Sequence, residues 1–300
     1  MDILRRILGI SSRKQERPTE SWESQRSGRS GFNTEPTGQI AEPELSNTLT
    51  APPSSVIEEP AQLPLRPQRL NDFIGQHHIK DNLSVYIKAA LRRGDPLDHV
   101  LLSGPSGFGK AILAHVIANE LGAQLRFTSA PEIRKTGDLA ALLTNLQEGD
   151  VLVIDEIHRL LPALEEKLYP AMEDFSLDLL IGLGPAARSI KIELPKFTLI
   201  GTTEHVGLMR QRFMKCFGIS FRLRPYETEE LQVLIEQMCD ELGIVIDGGA
   251  ANIIARRALG SPKAAKSLLR RIRDYAEVEF DGRITKEVVS EALDHMIGTD

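Results

Sequence analysis

A glycine-rich stretch, GPSGFGK at 104–110, constrains the fold of this chain more than any other feature. It follows an apolar run, HVLLS (99–103), that is typical of a buried strand, and it precedes AILAHVIANEL (111–121), which has helical spacing. Glycines in such a turn let backbone N–H groups close around phosphate oxygens, and a helix N-terminus adds positive potential. The pattern therefore predicts a phosphate-binding loop. A plain glycine turn is the alternative, but the whole pattern and both flanks speak against it.

A second apolar run, VLVID (151–155), is followed by a further acidic residue, Glu156. Asp155 is suited to hold the hydrated Mg²⁺ of a bound nucleotide, and Glu156 is suited to polarise an attacking water. Any exposed strand end tolerates acidic residues, so the pair is informative only together with Lys110. His158 could sense charge nearby, although a structural role is the favoured interpretation.

Apolar runs alternate with helical patterns in the central part of the chain, and FTLIGTT (197–203) is the third such run. This alternation predicts an α/β fold with a parallel sheet flanked by helices. From about Tyr226 onward the apolar runs stop, and residues recur at the 3.6-residue period of helices. A small all-helical domain is therefore expected after the sheet.

The N-terminal part of the chain has a different composition. Residues 1–10 place Ile3, Leu4, Ile7 and Leu8 at helical spacing opposite two arginines, which predicts a short amphipathic basic helix. Such a helix could dock in a partner groove or on an anionic membrane surface, or be a frayed terminus. Residues 11–64 are poor in apolar side chains, which predicts a disordered linker. The predicted domain bounds are 1–10, 11–64, 65–225 and 226–300.

The overall charge and cysteine content exclude several classes of protein. A formal net charge of -6 argues against a chain that coats nucleic acid through bulk charge. Two cysteines in 300 residues predict a reducing compartment rather than a disulfide scaffold. No stretch approaches the roughly 18 to 20 apolar residues of a membrane span. A cytoplasmic location is predicted.

Several segments together resemble the RuvB family, the AAA+ motors that drive Holliday-junction branch migration. The likeness extends from about Leu65 to Ile297 and implies an AAA+ P-loop core followed by a small helical lid. The segments are LRPQRLNDFIGQ (65–76), LDHVLLSGPSGFGK (97–110), GDLAALLTNLQEGDVLVIDEIHRL (137–160), LYPAMEDFSLDLLIGLGPAARSIKIEL (168–194), FTLIGTT (197–203) and GSPKAAKSLLRRIRDYA (260–276).

The resemblance implies ATP and Mg²⁺ as cofactors and assigns residues to them. The catalytic residues it implies are Lys110, Asp155, Glu156 and Thr203, with Thr203 as a polar sensor at a strand end and Asp155 as the metal ligand. The nucleotide-binding residues it implies are Leu65 and Arg66 beside the adenine, Gly104, Gly107, Gly109, Lys110, Ala111 and Ile112 at the phosphates, and Glu173, Asp174, Phe175, Tyr226 and Lys263.

The P-loop departs from the family pattern directly after its lysine. The family has two threonines there, and this chain has Ala111 and Ile112. The hydroxyl that ligates Mg²⁺ in such loops is therefore missing. Asp155 is expected to hold the metal largely alone.

Further departures affect the arginines of the family. Cys216 stands at the place of the arginine finger, which contributes roughly 10³ to 10⁵ in rate in related motors, and Met214 replaces an earlier arginine. Lys263 replaces the lid arginine that senses the γ-phosphate, which keeps the charge and loses the fork. Glu204 and His205 replace a Thr-Arg pair. Arg210, Arg212 and Lys215 are nearby cations outside the matching position.

The resemblance also implies partners. We expect a homo-oligomeric or hetero-oligomeric ring, and a hairpin over 177–192 that meets the junction-binding protein RuvA; an ordinary hairpin is the alternative. The family continues beyond the position of Asp300 into a winged-helix domain that grips duplex DNA, so DNA contact is expected to be indirect or weak. The most basic stretch of the lid is more often a solvated face; it comprises Arg256, Arg257, Lys266, Arg270, Arg271 and Arg273.

Two hypotheses for the function follow. The first is a RuvB-like ATP-binding protein linked to DNA recombination and repair, with weak or partner-dependent hydrolysis. The second is a catalytically degenerate ATP-binding scaffold or switch that its N-terminal segment tethers to a partner or a membrane surface. A mixed ring, in which another subunit donates the arginine, would reconcile them.

Overall fold

The computed structural model of the protein describes residues 67–181 and 188–297. Several predicted features lie outside these ranges: the N-terminal helix, the linker, the turn of the hairpin, and Leu65 and Arg66, which are expected beside the adenine. Among the helices that are described, none is both long and apolar enough to cross a membrane.

A five-stranded parallel sheet forms the centre of the fold, with the strand order β2-β3-β6-β1-β7. A separate antiparallel pair, β4 and β5, forms a hairpin. The strands are β1 (Val100–Ser103), β2 (Leu125–Ser129), β3 (Val151–Asp155), β4 (Ser176–Ile181), β5 (Arg188–Glu193), β6 (Thr198–Thr203) and β7 (Ile219–Arg222).

Helices cover both faces of the sheet, and the helices that follow β7 form a separate lid. The predicted α/β core with a following helical lid is thereby confirmed. The helices are α1 (His77–Arg93), α2 (Lys110–Leu121), α3 (Thr136–Thr144), α4 (Pro162–Glu173), α5 (Gln211–Lys215), α6 (Thr228–Leu242), α7 (Gly248–Arg257), α8 (Pro262–Glu279) and α9 (Lys286–Ile297).

Alternation along the strands divides the core into two layers. In β3, Val151 and Val153 belong to one buried cluster, and Leu152 and Ile154 belong to the other. Side chains alternate between the two faces of a strand, so a strand covered on both faces is mostly apolar along its whole length. Residues 151–154 therefore form one continuous apolar run. The acidic residue that ends the strand, Asp155, lies at the carboxyl edge of the sheet.

The lid has a core of its own, and a short segment joins it to the sheet. Side chains from α6 to α9, such as Leu231, Ile254 and Leu269, are buried together. Before the lid begins, the Gln76 amide donates to the Arg224 carbonyl at 2.7 Å and accepts from the Arg224 N–H at 3.1 Å. These paired bonds fix the connecting segment beside the start of α1.

A buried histidine, His99, lies at the amino edge of the sheet, where the parallel strands begin. The His99 ring lies 3.0 Å from the Met172 carbonyl through Nε2, and its Nδ1 accepts from the Leu199 N–H at 2.9 Å. Burial lowers the pKa of His99 below its ordinary value, so the ring is held neutral and joins α4 to β6. The residues that directly follow α4 are therefore held at this edge.

Candidate nucleotide-binding site

The loop between β1 and α2 has the conformation of a phosphate cradle. Gly104, Gly107 and Gly109 have φ of 141°, 79° and 93°, which are values that residues with a Cβ rarely adopt. Helix α2 begins at Lys110, so its first N–H groups face the loop. Backbone donors and the positive end of a helix together favour an anion at this place. Ala111 and Ile112 lie half-buried in the first turn of α2.

Lys110 is buried beneath this loop. Its Nζ donates to the carbonyls of Gly104 and Pro105 at 2.7 and 2.9 Å, and it lies 3.9 Å from Oε1 of Glu204. Burial lowers the pKa of Lys110, and the neighbouring carboxylates, Glu204 first, oppose that shift. The ammonium is thus folded back on the loop and must turn outward to meet a phosphate.

The acidic pair lies at the carboxyl end of β3, on the same edge of the sheet as the loop. The Thr202 hydroxyl donates to Oδ1 of Asp155, which orients that carboxylate. Glu156 has a φ of 50°, and Arg159 donates to its Oε2 at 2.5 Å. The structure therefore brings Lys110, Asp155 and Glu156 together, with Glu156 held by an arginine on its own chain.

The residues present fit a Mg²⁺ ion that a nucleotide brings with it. Asp155 offers one half-buried carboxylate, and Ala111 offers no ligand atom. Among the described side chains, no group of three or more His, Cys, Asp or Glu is placed to hold a metal by itself. Mg²⁺ commonly takes one or two carboxylates together with phosphates and waters. The donor set suits a metal that arrives on a phosphate chain.

Thr203 is buried at the end of β6, and its hydroxyl already has partners. Oγ1 lies 3.0 Å from Nδ1 of His158 and accepts from the His205 N–H at 3.0 Å. Burial and the nearby His205 lower the pKa of His158, so that ring adds little positive charge to the site. The hydroxyl that contacts the acidic pair belongs to the preceding residue, Thr202.

The lid touches the loop directly. The Lys263 N–H donates to the Gly107 carbonyl at 3.3 Å, and this contact places the N-terminus of α8 against the phosphate cradle. On the other side, a Cβ added at Gly109 would lie 3.4 Å from the Phe73 ring and 3.6 Å from the Tyr226 hydroxyl. Burial raises the pKa of Tyr226 well above its ordinary value. Tyr226 and Lys263 are therefore placed beside the loop, as the resemblance implies.

Substituting Gly107 with alanine tests this contact between loop and lid. Its φ of 79° makes a side chain strained, and a Cβ there would lie 2.6 Å from the Cβ of Lys263. Gly122 has a φ of 66° and nothing within 4 Å, so Gly122→Ala is a matched control for backbone strain alone. We expect Gly107→Ala to lower the free energy of unfolding by about 2–3 kcal/mol and the control by about 1 kcal/mol. Urea unfolding of both variants measures this difference, and equal losses would contradict the contact.

Three of the residues that the resemblance implies are not at this site in the chain itself. Phe175 packs at 6.2 Å from the His99 ring and 5.9 Å from the Phe197 ring, and these partners directly precede β1 and β6. Glu173 and Asp174 are exposed at the same amino edge. The P-loop is at the carboxyl edge, about four residues or 13 Å of strand away.

Cys216 also lies at the amino edge of the sheet, away from the P-loop. Its Sγ is 3.7 Å from Oε1 of Glu173. Burial, reinforced by the Glu173 carboxylate, raises the pKa of the thiol above its ordinary value. A neutral thiol cannot supply the positive charge of the guanidinium that the resemblance implies at this position.

The nearby cations are placed differently from one another. Arg210 lies 3.6 Å from Glu165 and 3.5 Å from Glu166, and Arg212 stacks on the Tyr169 ring at 4.8 Å from its centroid. Lys215 is exposed at the end of α5. Both arginines are thus engaged within the chain.

Sequence reasoning missed the side-chain partners of both acidic residues of the candidate site. Nothing in the pattern singled out Thr202 as the partner of Asp155 or Arg159 as the partner of Glu156. The spacing of three residues between Glu156 and Arg159 was the only available signal for an ion pair, and the positive φ of Glu156 was not foreseeable.

Two family models match the chain. Residues 65–223 match the P-loop domain of the Holliday junction DNA helicase RuvB, and residues 226–297 match the RuvB AAA lid domain.

Curated proteins and solved structures agree with these models. The chain is 55% identical over 236 residues to the Holliday junction branch migration complex subunit RuvB of Campylobacter curvus, covering 79% of this chain and 70% of the relative. It is 53% identical over 236 residues to the same subunit of Campylobacter concisus, with the same coverage of both chains. The solved structure of the Thermotoga maritima RuvB Holliday junction branch migration motor is 42% identical with a TM-score of 0.70, covering 77% of this chain and 72% of that one.

Proposed function

The chain belongs to the RuvB family, and on that premise we propose that it is an ATP-binding subunit of a RuvB-type ring that acts in Holliday-junction processing during DNA recombination and repair. The proposal includes hydrolysis that is weak in this chain alone and faster when another subunit supplies an arginine. The observation that carries it is the meeting of Lys110, Asp155 and Glu156 beside an intact phosphate loop at one edge of the sheet.

Each residue at that edge has a distinct part in handling the nucleotide. The N–H groups of the loop and of α2 bind phosphate oxygens, and Lys110 turns from the two carbonyls to the β and γ phosphates. A bound Mg²⁺, held by Asp155 and the phosphates, would neutralise charge on the phosphate chain. Glu156 would orient a water once it leaves the guanidinium of Arg159. The N-terminus of α8 would close the cradle through Lys263.

The opposite edge of the sheet supports a head-to-tail assembly. Glu173, Asp174, Phe175 and Cys216 are clustered there, away from the P-loop of their own chain. A heterologous contact that brings this edge to the loop of the next subunit would let these residues complete that subunit's site. In such a ring Cys216 would face the γ-phosphate of the neighbour and give it no positive charge. Slow hydrolysis follows, because an arginine at this place is worth roughly 10³ to 10⁵ in rate.

A mixing experiment tests this proposal. The chain is combined with a RuvB-family subunit that has arginine at the position of Cys216 and alanine in place of its own P-loop lysine. That subunit cannot hydrolyse ATP itself, so phosphate release reports on the P-loop of this chain alone. We expect the rate to rise about 10-fold or more on mixing, since the donated arginine acts across the interface. No rise, under conditions where co-sedimentation shows that the two subunits assemble, would overturn the partner-dependent part of the proposal.

The finer assignments are proposals as well. The β4–β5 hairpin is antiparallel, with Ser176 opposite Glu193, and we propose that it meets a junction-binding protein such as RuvA. DNA contact by the lid is proposed to be indirect or weak. In α8, Arg273 is already paired with acidic side chains, at 2.7 Å from Asp274 and 3.6 Å from Glu277.

A cytoplasmic location remains a prediction from composition. Nothing in the comparisons favours the alternative of a tethered scaffold.

A further inference from the structure

Glu204 directly follows β6 and lies beside the phosphate loop. The parallel register pairs Ser103 of β1 with Thr203 of β6, and the Gly104 N–H donates to the Thr203 carbonyl at 3.1 Å. The residues that follow these two strands, Gly104 and Glu204, therefore lie side by side, and Glu204 is next to the first residue of the loop. This position depends on the sheet order, because β1 and β6 are about 100 residues apart in the chain.

The carboxylate of Glu204 reaches the ammonium of Lys110. Oε1 lies 3.9 Å from Nζ, and the Lys110 side chain is only 9% exposed while that of Glu204 is 35% exposed. Of the ion pairs in the described ranges, this is the one that Glu204 makes. Glu204 thus places a negative charge beside Lys110, the cation that would bind phosphate.

A terminal phosphate would compete with Glu204 for the same cation. The lysine of a P-loop contacts the β and γ phosphates, which requires the γ-phosphate to approach Nζ closely. Glu204 stays beside the first residue of the loop when Lys110 turns outward, because the Gly104 N–H holds the carbonyl of the preceding residue, Thr203. Its carboxylate therefore remains close to the space that a γ-phosphate enters. Like charges at such short range repel, and partial burial reduces the screening by water. A diphosphate also contacts Lys110 through its β-phosphate, but it brings no γ-phosphate into the space beside Glu204.

We propose that Glu204 determines nucleotide specificity at this site, so that the chain binds nucleoside diphosphates in preference to nucleoside triphosphates. The inference rests on the proposed function, since it concerns the same P-loop. Asp155 and Glu156 are also anionic, but Asp155 would hold the metal that accompanies the nucleotide, and Glu156 is paired with Arg159. Within the described residues, the ion pair of Glu204 is the one with Lys110. The effect on the protein would be a resting state with ADP bound and a weaker response to ATP.

Equilibrium binding of ADP and ATP to the full chain and to two variants tests this inference. Glu204→Gln keeps the size and removes the charge, and Glu204→Thr removes both the charge and the reach. We expect the parent to bind ADP about 10-fold tighter than ATP in the presence of Mg²⁺. In both variants we expect ATP affinity to rise about 10-fold, while ADP affinity changes less than about 2-fold. Glu279→Gln, at the exposed end of α8, is the matched control for net charge and should leave both affinities unchanged.

The outcomes separate this inference from the function on which it rests. If ADP and ATP both bind and their affinity ratio is the same in parent and Glu204→Gln, the inference fails and the nucleotide site stands. If Glu204→Gln weakens ATP binding, the carboxylate assists the triphosphate or its metal, and the inference is again overturned. If neither nucleotide binds the parent or either variant, the proposed function fails with it.

Discussion

Replacing Cys216 with arginine together with Ala111 with threonine is expected to raise ATP hydrolysis by the chain about 100-fold. The first change restores a guanidinium at the edge that we propose faces the next subunit, and the second restores a hydroxyl beside the metal of the chain's own site. An arginine finger is worth roughly 10³ to 10⁵ where the protein has been adapted to it. The expected gain is smaller because Glu173, 3.7 Å from Sγ of Cys216, would attract the new side chain.

The measurement is steady-state phosphate release at several protein concentrations. Because the arginine would act across an interface, the rate per subunit should rise with concentration until the ring is complete. Lys215→Arg in the presence of Ala111→Thr is the matched control, since it adds a guanidinium one residue away on the exposed end of α5. An equal gain from this control would show that any nearby guanidinium suffices, and no gain from Cys216→Arg would contradict the placement of Cys216 opposite a neighbour's nucleotide.

Lys110→Ala is expected to weaken nucleotide binding by about 100-fold or more. The ammonium would make charge-assisted bonds to two phosphates, each worth about 1.5–3 kcal/mol, and a factor of 100 corresponds to about 2.8 kcal/mol. The variant also loses the bonds to the carbonyls of Gly104 and Pro105 and leaves Glu204 without its cation.

Titration with a fluorescent ATP analogue measures this loss. Lys88→Ala, which removes an exposed lysine of α1, is the control and should bind as the parent does. Lys110→Met keeps most of the buried volume, so it separates loss of charge from loss of packing. Binding by Lys110→Ala at the affinity of the parent would mean that the nucleotide is held elsewhere.

The central strands were predictable from the sequence, and the edge strands were not. β1, β3 and β6 are covered on both faces, so their residues are almost all buried and are mostly apolar or β-branched, which makes the runs recognisable. The missed strands, β2 and β7, form the two edges of the sheet, and most of their residues are half-buried or exposed. Mixed composition of that kind does not distinguish a strand from a loop.

The residues of the candidate site were predictable where each lies within a recognisable local motif. Lys110 lies within its motif, and Asp155 and Glu156 end their own strand, so local pattern was sufficient. The contact of Glu204 with Lys110 depends on the pairing of β1 with β6, which local pattern does not encode. Glu173 was expected at the nucleotide by resemblance, and the structure places it at the other edge. A single sequence does not distinguish a residue that serves its own site from one that serves a neighbour's.

The most direct test of nucleotide binding at this P-loop is the shift in melting temperature of the full chain on adding ADP or ATP with Mg²⁺. A ligand at 100 times its dissociation constant stabilises the protein that binds it by about 2.7 kcal/mol. For a folded region of this size, that corresponds to a rise of roughly 5–10 °C. If this P-loop binds nucleotide through Lys110, the parent shows such a rise and Lys110→Ala shows almost none. The absence of any shift in the parent at millimolar nucleotide would contradict the claim that this P-loop binds nucleotide.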